Sequence, residues 1–220
     1  RDFLQRRDGD LSLDLRLEAG KPLVAHGDRG LSPKSAEPGN ASYYVGYTRL
    51  SARGAVATRG GPPVEVQGQA WFDHEWSTSA LGTGASGWDW FSLQTDDGRE
   101  LMYFQIRRED GSLEAVSGGT LVERDGSTRR IASADLRLEV TRRWTSPDTG
   151  TTYPAGWRLS LPGEGLELEI APWLDAQEMR TSFTYWEGAV RVEGRRAGQP
   201  LRGQGYVELT GYGKSMQGVF

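Results

Sequence analysis

Cysteine is absent from this chain of 220 residues, and histidine occurs only twice, as His26 and His74. The absence of cysteine excludes disulfides, thiolate metal ligands and cysteine nucleophiles. Two histidines at this separation form no zinc signature, so we expect neither a metal nor a cofactor. The sequence also contains no G-x-S-x-G elbow, no phosphate loop and no dinucleotide fingerprint.

Long apolar runs are also missing. No stretch approaches the ~18 residues of a membrane-spanning helix, so we do not expect the chain to span a membrane. The net charge is −4 and the basic residues are scattered rather than gathered in a stripe, which argues against a nucleic-acid partner. The chain starts with RDFLQRRDGD, without Met or a signal peptide, which leads us to expect a processed, exported protein or a fragment of a longer chain.

Glycine and proline are abundant, with 30 and 10 residues spread along the chain. They separate short segments in which apolar and polar residues alternate, as in half-buried β-strands. Asp-Gly pairs at 97–98, 110–111 and 125–126 lie between such segments and predict hairpin turns. From these patterns we predict about eleven strands, a long loop over residues 18–42 and one short helical segment at 173–182. This pattern predicts an all-β, antiparallel barrel or sandwich, in which a small ligand can bind.

The richest chemistry lies between Gly68 and Trp90, which hold four of the eight Trp residues. The segment Val64–Trp76 predicts a strand whose even positions are apolar, which would turn His74 inward and Asp73 outward. A bulge at Gly68 would exchange the two faces. The sequence leaves both orientations open.

Asp73 is the first candidate acid because aromatic residues flank it. A carboxylic acid buried among aromatic rings keeps its proton near neutral pH, since desolvation disfavours the anion. Glu187, which shares a predicted strand face with Tyr185, is the second candidate acid. His74 would relay a proton or orient Asp73. As alternatives, Asp73 and Glu75 are solvated, or they form the carboxylate pair of a glycosidase.

Three blocks of the sequence resemble the carotenoid 1,2-hydratase-like family, also called the AttH-like or kievitone-hydratase-like family of lipocalin-type proteins. They are KSAEPGNASYYVGYTRLSARG at 34–54, GQAWFDHEWS to REDGS at 68–112, and YWEGAVRVEG to GQGYVELTGYG at 185–213. The resemblance implies two packed lipocalin-like antiparallel β-barrels, the first incomplete: residues 1–78 for the first and 79–220 for the second. It also implies a hydratase-like lyase or cyclase that adds water to, or cyclises, an apolar isoprenoid-like molecule, and it implies export.

Two other functions stay open beside acid catalysis. The chain could be a non-catalytic lipocalin-type protein that binds an apolar ligand, or the aromatic stretch could be the packed core of a barrel–barrel interface. For the catalytic hypothesis, Asp73, His74 and Glu187 are the expected catalytic residues. The expected substrate-binding residues are Trp71, Trp76, Trp88, Trp90 and Tyr185. The sequence does not fix the oligomeric state.

Overall fold

In a computed structural model of the chain, residues 2–58, 60–77 and 81–216 are described. Strands account for 64% and helices for 3% of the structure, which confirms the predicted all-β class. The strands are antiparallel throughout and include one curled half-barrel. The two helical elements are single 3-10 turns, Ser133–Asp135 and Pro162–Glu164.

The strands form two sheets that follow one another along the chain. The six strands of the first sheet are β1 (Asp2–Asp8), β2 (Leu11–Ala19), β3 (Val24–Ala25), β4 (Leu31–Pro33), β5 (Ala41–Ala57) and β6 (Val64–Ser77). The ten strands of the second sheet are β7 (Ala85–Thr95), β8 (Glu100–Arg108), β9 (Gly118–Val122), β10 (Thr128–Ala132), β11 (Arg137–Thr145), β12 (Thr152–Leu161), β13 (Leu166–Pro172), β14 (Glu178–Arg180), β15 (Thr184–Arg196) and β16 (Gln199–Leu209). The proposed division into two barrels at residue 78 stays a prediction.

The central strand of the first sheet is β5, which pairs with β2, β3, β4 and β6. The second sheet has the order β10-β9-β8-β7-β16-β15-β13-β12-β11, with β14 on β15. The three Asp-Gly turns form as predicted, and Gly98, Gly111 and Gly126 each adopt a positive φ of 80° to 85°. L side chains rarely adopt this conformation, so glycine is the residue that suits these turns.

The hydrophobic core lies on one face of the second sheet. Its largest members are Trp157 and Trp186, both with no exposed surface, and Phe91 packs edge-on against Trp157 with ring centroids 5.6 Å apart. Alternation along the strands then sends the neighbouring side chains to the other face. Trp90 and Glu187 therefore face away from this core, toward the first sheet.

A buried carboxylate joins the two sheets. Glu100, at the start of β8, is 1% exposed and accepts hydrogen bonds from Lys21 (2.8 Å), from Thr48 (3.1 Å) and from the Arg49 guanidinium. Lys21 and Arg49 are themselves largely buried. Two cations around one carboxylate compensate its desolvation, so this cluster fixes β5 against β8.

The predicted helix at 173–182 is wrong. In its place β14 pairs with β15, and the backbone N–H of Trp173 donates to the carbonyl of Ala189 at 3.0 Å. The Gln177 side chain bonds both the carbonyl and the N–H of Ala189, as a neighbouring strand would. Pairing with a sheet edge outweighs the weak helical propensity of this segment.

Other boundaries also differ from the prediction. The alternation at 43–50 and 55–58 indicates two strands, whereas the structure has the single strand β5 over Ala41–Ala57. The loop predicted at 18–42 contains β3 and β4, and its side chains include the buried His26. Strands β1 and β10 were not predicted, because their charged sequences lack a clear alternation.

We expect Glu100→Gln to lower the free energy of unfolding by about 3 kcal/mol, because it leaves Lys21 and Arg49 without a buried counter-charge. Urea unfolding followed by tryptophan fluorescence measures the change. Glu169→Gln is the matched control. It removes an ion pair with Arg158 on the exposed surface and should leave the midpoint unchanged. A loss below about 1 kcal/mol in Glu100→Gln would show that the cluster is not an anchor.

Candidate active site

A register shift occurs between β5 and β6 in the aromatic stretch. Tyr47 pairs with Phe72 and Leu50 pairs with Ala70, so two residues of β5, Thr48 and Arg49, lie opposite Trp71 alone. This is a β-bulge on β5, whose alternation it interrupts, while β6 keeps its own and places Gln69, Trp71 and Asp73 on one face. The register is regular at Gly68, so the bulge considered there is not formed.

Side chains from both sheets hold this bulge. Gln94 of β7 donates to the carbonyls of Thr48 at 2.8 Å and Ala70 at 3.2 Å, one on each strand of the irregular pair. The Arg49 guanidinium donates to the carbonyls of Thr95 and Arg99 at 3.0 and 3.1 Å. Since buried carbonyls are costly without partners, these bonds stabilise the bulge in one register.

Beyond the bulge, the odd positions of β6 face an open cleft of about 510 Å³ between the two sheets. Its lining residues are Gln69, Ala70, Trp71, Asp73, Trp90, Ser92, Gln94, Trp173, Glu187, Ala189, Val190, Gln204, Gly205 and Tyr206. Four of them are large aromatics and two are carboxylates, and none of these lining residues is Lys or Arg. The cleft is therefore aromatic and acidic.

Asp73 lies on the wall that β6 contributes. The indole N–H of Trp71 donates to Asp73 Oδ1 at 2.9 Å, and the Tyr44 hydroxyl also hydrogen-bonds to this carboxylate. Trp90 in turn donates to the Tyr44 hydroxyl at 3.0 Å. Burial raises the pKa of Asp73 to about 6, although the bonds from Trp71 and Tyr44 act in the opposite direction. At pH 7 about a tenth of Asp73 is therefore protonated, far more than for an ordinary aspartic acid.

A second acidic group lies across the cleft on β15 and β16. Glu187 and Glu208 are directly opposite each other in the hairpin, and Tyr185 donates to Glu187 Oε2 at 2.7 Å. Trp88 donates to Glu208 Oε1 at 2.6 Å. Burial, followed by the charges of Glu187, Glu75 and Asp73, raises the pKa of Glu208 to about 7. Near neutral pH Glu208 is therefore partly protonated.

Three of the other predicted site residues line the cleft. Trp71 and Trp90 meet there edge to face, with ring centroids 6.3 Å apart, and Glu187 lies on the opposite wall. Tyr185 and Trp88, expected to bind substrate, are not among the lining residues and instead donate to Glu187 and Glu208. A cleft beside Trp90 is not what a purely packed interface core would show.

His74 and Trp76 lie on the opposite face of β6, so the expected inward orientation of His74 is wrong. They belong to an exposed aromatic ladder with Phe72 and Tyr43, in which the His74 and Trp76 centroids are 4.9 Å apart. The expectation failed because the apolar, even positions of this part of β6 form its exposed face, and the odd positions face the second sheet. Neither residue lines the cleft.

Glu75 and Asp89 have structural partners. Glu75 shares a face with Asp73 but forms an ion pair with Lys34 at 2.5 Å and accepts a hydrogen bond from Ser42, which does not fit a glycosidase pair with Asp73. Asp89, expected at a barrel rim, is 2% exposed and bonds Arg107 at 3.0 Å. Both carboxylates are neutralised by cations, unlike Asp73 and Glu208.

Sequence reasoning missed Glu208, Tyr44 and His26. Glu208 could have been found, because a two-residue turn in the predicted last hairpin places it opposite Glu187. Tyr44 and His26 could not, since their proximity to Asp73 depends on the pairing around β5. His26, expected as an unremarkable loop residue, is completely buried beside the Tyr44 ring.

Residues 2–58, 60–77 and 81–216 also bear on metal binding and membrane insertion. That part of the chain contains no group of three or more His, Asp or Glu side chains arranged to hold a metal ion. None of its helices has the length and apolar character needed to cross a membrane.

Comparison with known proteins gives a family and a fold. A family model described as AttH-like matches residues 2–212. A crystal structure from Nitrosomonas europaea, described as an AttH, superposes with a TM-score of 0.87 at 36% identity, over 96% of this chain and 65% of that one. Among curated proteins, none matches.

Two more distant structures share the lipocalin-like fold. Kievitone hydratase from Nectria haematococca has a TM-score of 0.79 at 19% identity, over 96% of this chain and 65% of its own. CghA has a TM-score of 0.56 at 15% identity, over 94% of this chain and 62% of its own. The chain thus spans slightly less than two thirds of the structures that it matches.

The raised pKa values predict that the folded protein loses stability as the pH rises. The folded states of Asp73 and Glu208 bind protons more tightly than the unfolded chain, so their contribution is complete below about pH 4 and is lost as the pH rises to about 7. One pKa unit corresponds to about 1.4 kcal/mol of stability. We therefore expect the free energy of unfolding of Glu208→Gln to fall with rising pH by roughly 3 kcal/mol less than that of the parent protein. Urea unfolding at pH 4.5 to 8 measures it. An identical pH slope in the variant and the parent protein would refute the assignment.

Proposed function

The chain belongs to the AttH-like family, and on this premise we propose that it is a hydratase-like lyase that acts by acid catalysis in the cleft between the two sheets. The proposed substrate is an apolar, isoprenoid-like small molecule with a carbon–carbon double bond, or the corresponding alcohol. The observation that carries the proposal is Asp73, whose pKa is raised to about 6 on the wall of an aromatic cleft.

The first step is proton transfer from the Asp73 carboxylic acid to one carbon of the double bond. The π electron pair forms the new C–H bond, and the neighbouring carbon becomes positively charged. Protonating an isolated alkene needs a strong donor in a poorly hydrated site, which burial of Asp73 provides. The ring faces of Trp71 and Trp90 stabilise the developing cation.

The second step is attack of water on the cationic carbon. Its oxygen forms the C–O bond, and its released proton passes to the ionised member of the Glu187–Glu208 pair. The net change is addition of one water molecule, with Asp73 ionised and the glutamate pair protonated. Return of a proton to Asp73 resets the site. The reverse sequence is dehydration, and loss of a proton from the cation after ring closure would make a cyclase.

The acids on both walls favour catalysis over simple binding. A carrier for an apolar ligand gains nothing from carboxyl groups that face the ligand, because their desolvation opposes binding. Asp73 and Glu187 both line the cleft, whereas Asp89 and Glu100, which have structural roles, are paired with Arg or Lys. The alternative, a non-catalytic lipocalin-type binding protein, has an aromatic cleft but needs no such pair.

The relatives support the choice of chemistry. The fold is shared with an enzyme whose name states that it hydrates kievitone, and with CghA. Because these similarities are below 25% identity, they support a reaction class for this chain and not a particular substrate.

We expect Asp73→Asn to lower turnover at least ~100-fold, because an amide of the same shape cannot donate the proton. The assay incubates the protein with a prenylated phenol in H₂¹⁸O and measures ¹⁸O incorporation by mass spectrometry. Trp71→Phe, which removes the donor to Asp73 but keeps a ring, should reduce turnover less.

The control variant is His74→Gln, one residue away on the outer face, which should keep parental turnover. Folding of each variant is checked by its circular dichroism spectrum and unfolding midpoint. A folded Asp73→Asn protein with unchanged turnover would exclude Asp73 as the acid. Tight binding of the phenol without ¹⁸O incorporation in the parent protein would favour the binding protein.

A further inference from the structure

His26 is a buried side chain for which the proposed reaction has no role so far. It follows β3, and its backbone N–H donates to the carbonyl of Tyr44 at 3.0 Å. The imidazole has no exposed surface and lies 4.3 Å from the Tyr44 ring, centroid to centroid. Its Nδ1 is 3.0 Å from Thr120 Oγ1, on β9 of the other sheet. The His26 ring of the first sheet thus contacts the second sheet at Thr120.

The other ring nitrogen, Nε2, is buried and has no hydrogen-bond partner among the described residues. An unsatisfied buried polar atom costs about 1 to 3 kcal/mol, so its retention needs a reason. Nε2 and the Asp73 carboxyl both border the space above the Cα of Gly46. A Cβ placed on Gly46 would lie 3.4 Å from His26 Nε2 and 2.7 Å from Asp73 Oδ1. Glycine at this position therefore lets the imidazole and the carboxyl approach each other.

The charges around His26 keep the imidazole neutral. Burial first, and then the positive charge of Lys34, lower the pKa of His26 to about 4. Lys34 is held nearby through Glu75 and lies over the Tyr44 ring. Thr120, the partner of Nδ1, carries no charge. A neutral imidazole whose Nδ1–H donates to Thr120 presents Nε2 as a hydrogen-bond acceptor.

We propose that His26 is a positioning residue for Asp73, whose carboxylic acid proton is directed across Gly46 to the unpaired Nε2 of a neutral imidazole. This inference rests on the proposed function, because it concerns the acid of that reaction. In the resting state the proton stays on the Asp73 oxygen and no covalent bond changes. Because Nε2 accepts a hydrogen bond only from protonated Asp73, it favours the acid form of this carboxyl. Trp71 and Tyr44 donate to the carboxylate and favour the anion.

The direct test is ¹⁵N NMR of the imidazoles, which is practical because the chain has only two histidines. The variant His74→Gln leaves His26 as the single signal. We expect the Nδ1–H tautomer, and an Nε2 shift that changes with a midpoint near pH 6 as Asp73 loses its proton. In Asp73→Asn this inflection should disappear. The Nε2–H tautomer, or the absence of an inflection in the parent protein, would overturn the inference.

The kinetic test compares His26→Phe with His26→Gln. Phe keeps a ring but has no acceptor, so the descending limb of kcat/KM with pH should shift down by about one pH unit or more. Gln carries an acceptor oxygen and should restore part of the shift. A residue that only packs the core would change the unfolding midpoint and leave the pH profile in place, which would overturn the inference.

The two tests separate this inference from the proposed function. If Asp73→Asn abolishes turnover while the Nε2 signal does not respond near pH 6, Asp73 is the acid and His26 does not position it. If Nε2 responds but Asp73→Asn turns over normally, the pair exists but the proposed catalyst is wrong. The NMR test needs no His26 variant, so it holds even where such a variant does not fold.

Discussion

The β-bulge at Thr48–Arg49 is the constraint on which the cleft depends. The extra residue lets two consecutive side chains of β5, Thr48 and Arg49, both bond Glu100 of the second sheet. Trp71 lies opposite these two residues and, with Asp73, faces the cleft. The second sheet itself enforces this register, through Gln94 on the two carbonyls and Glu100 on Thr48 and Arg49. The two sheets therefore determine each other's geometry at this point.

The buried carboxylates divide into two kinds by their neighbours. Glu100 and Asp89 have cations and several donors around them, an arrangement that stabilises the anion and joins strands. Asp73 and Glu208 instead have indole donors, other carboxylates and aromatic rings nearby, so burial raises their pKa values. Proteins separate acid and base roles by placing carboxyl groups in such different environments. Of these four carboxylates, the two with raised pKa values are the two beside the cleft.

Alternation and turn chemistry account for what could be predicted. The hairpins around the Asp-Gly turns, the strand 64–76 and the family resemblance all depend on local patterns or on matched residue blocks. The site needed more, because the face of β6 that meets the second sheet depends on how the sheets pack, and the apolar even positions of β6 indicated the other face. The helix predicted at 173–182 failed for the same reason, since a non-local strand pairing outweighed local propensity. His26 lies close to Asp73 only through the fold.

The position of the cleft also bears on how the reaction would be controlled. One wall, with Asp73, comes from the first sheet, and the other, with Glu187, comes from the second. In the proposed reaction the proton donor and the proton acceptor are thus on different sheets, and the contacts of Glu100, Gln94 and Trp90 across the junction hold the two walls together. Since general acid catalysis is sensitive to small displacements of the donor, these distant bonds belong to the proposed catalytic geometry as much as the carboxyls do.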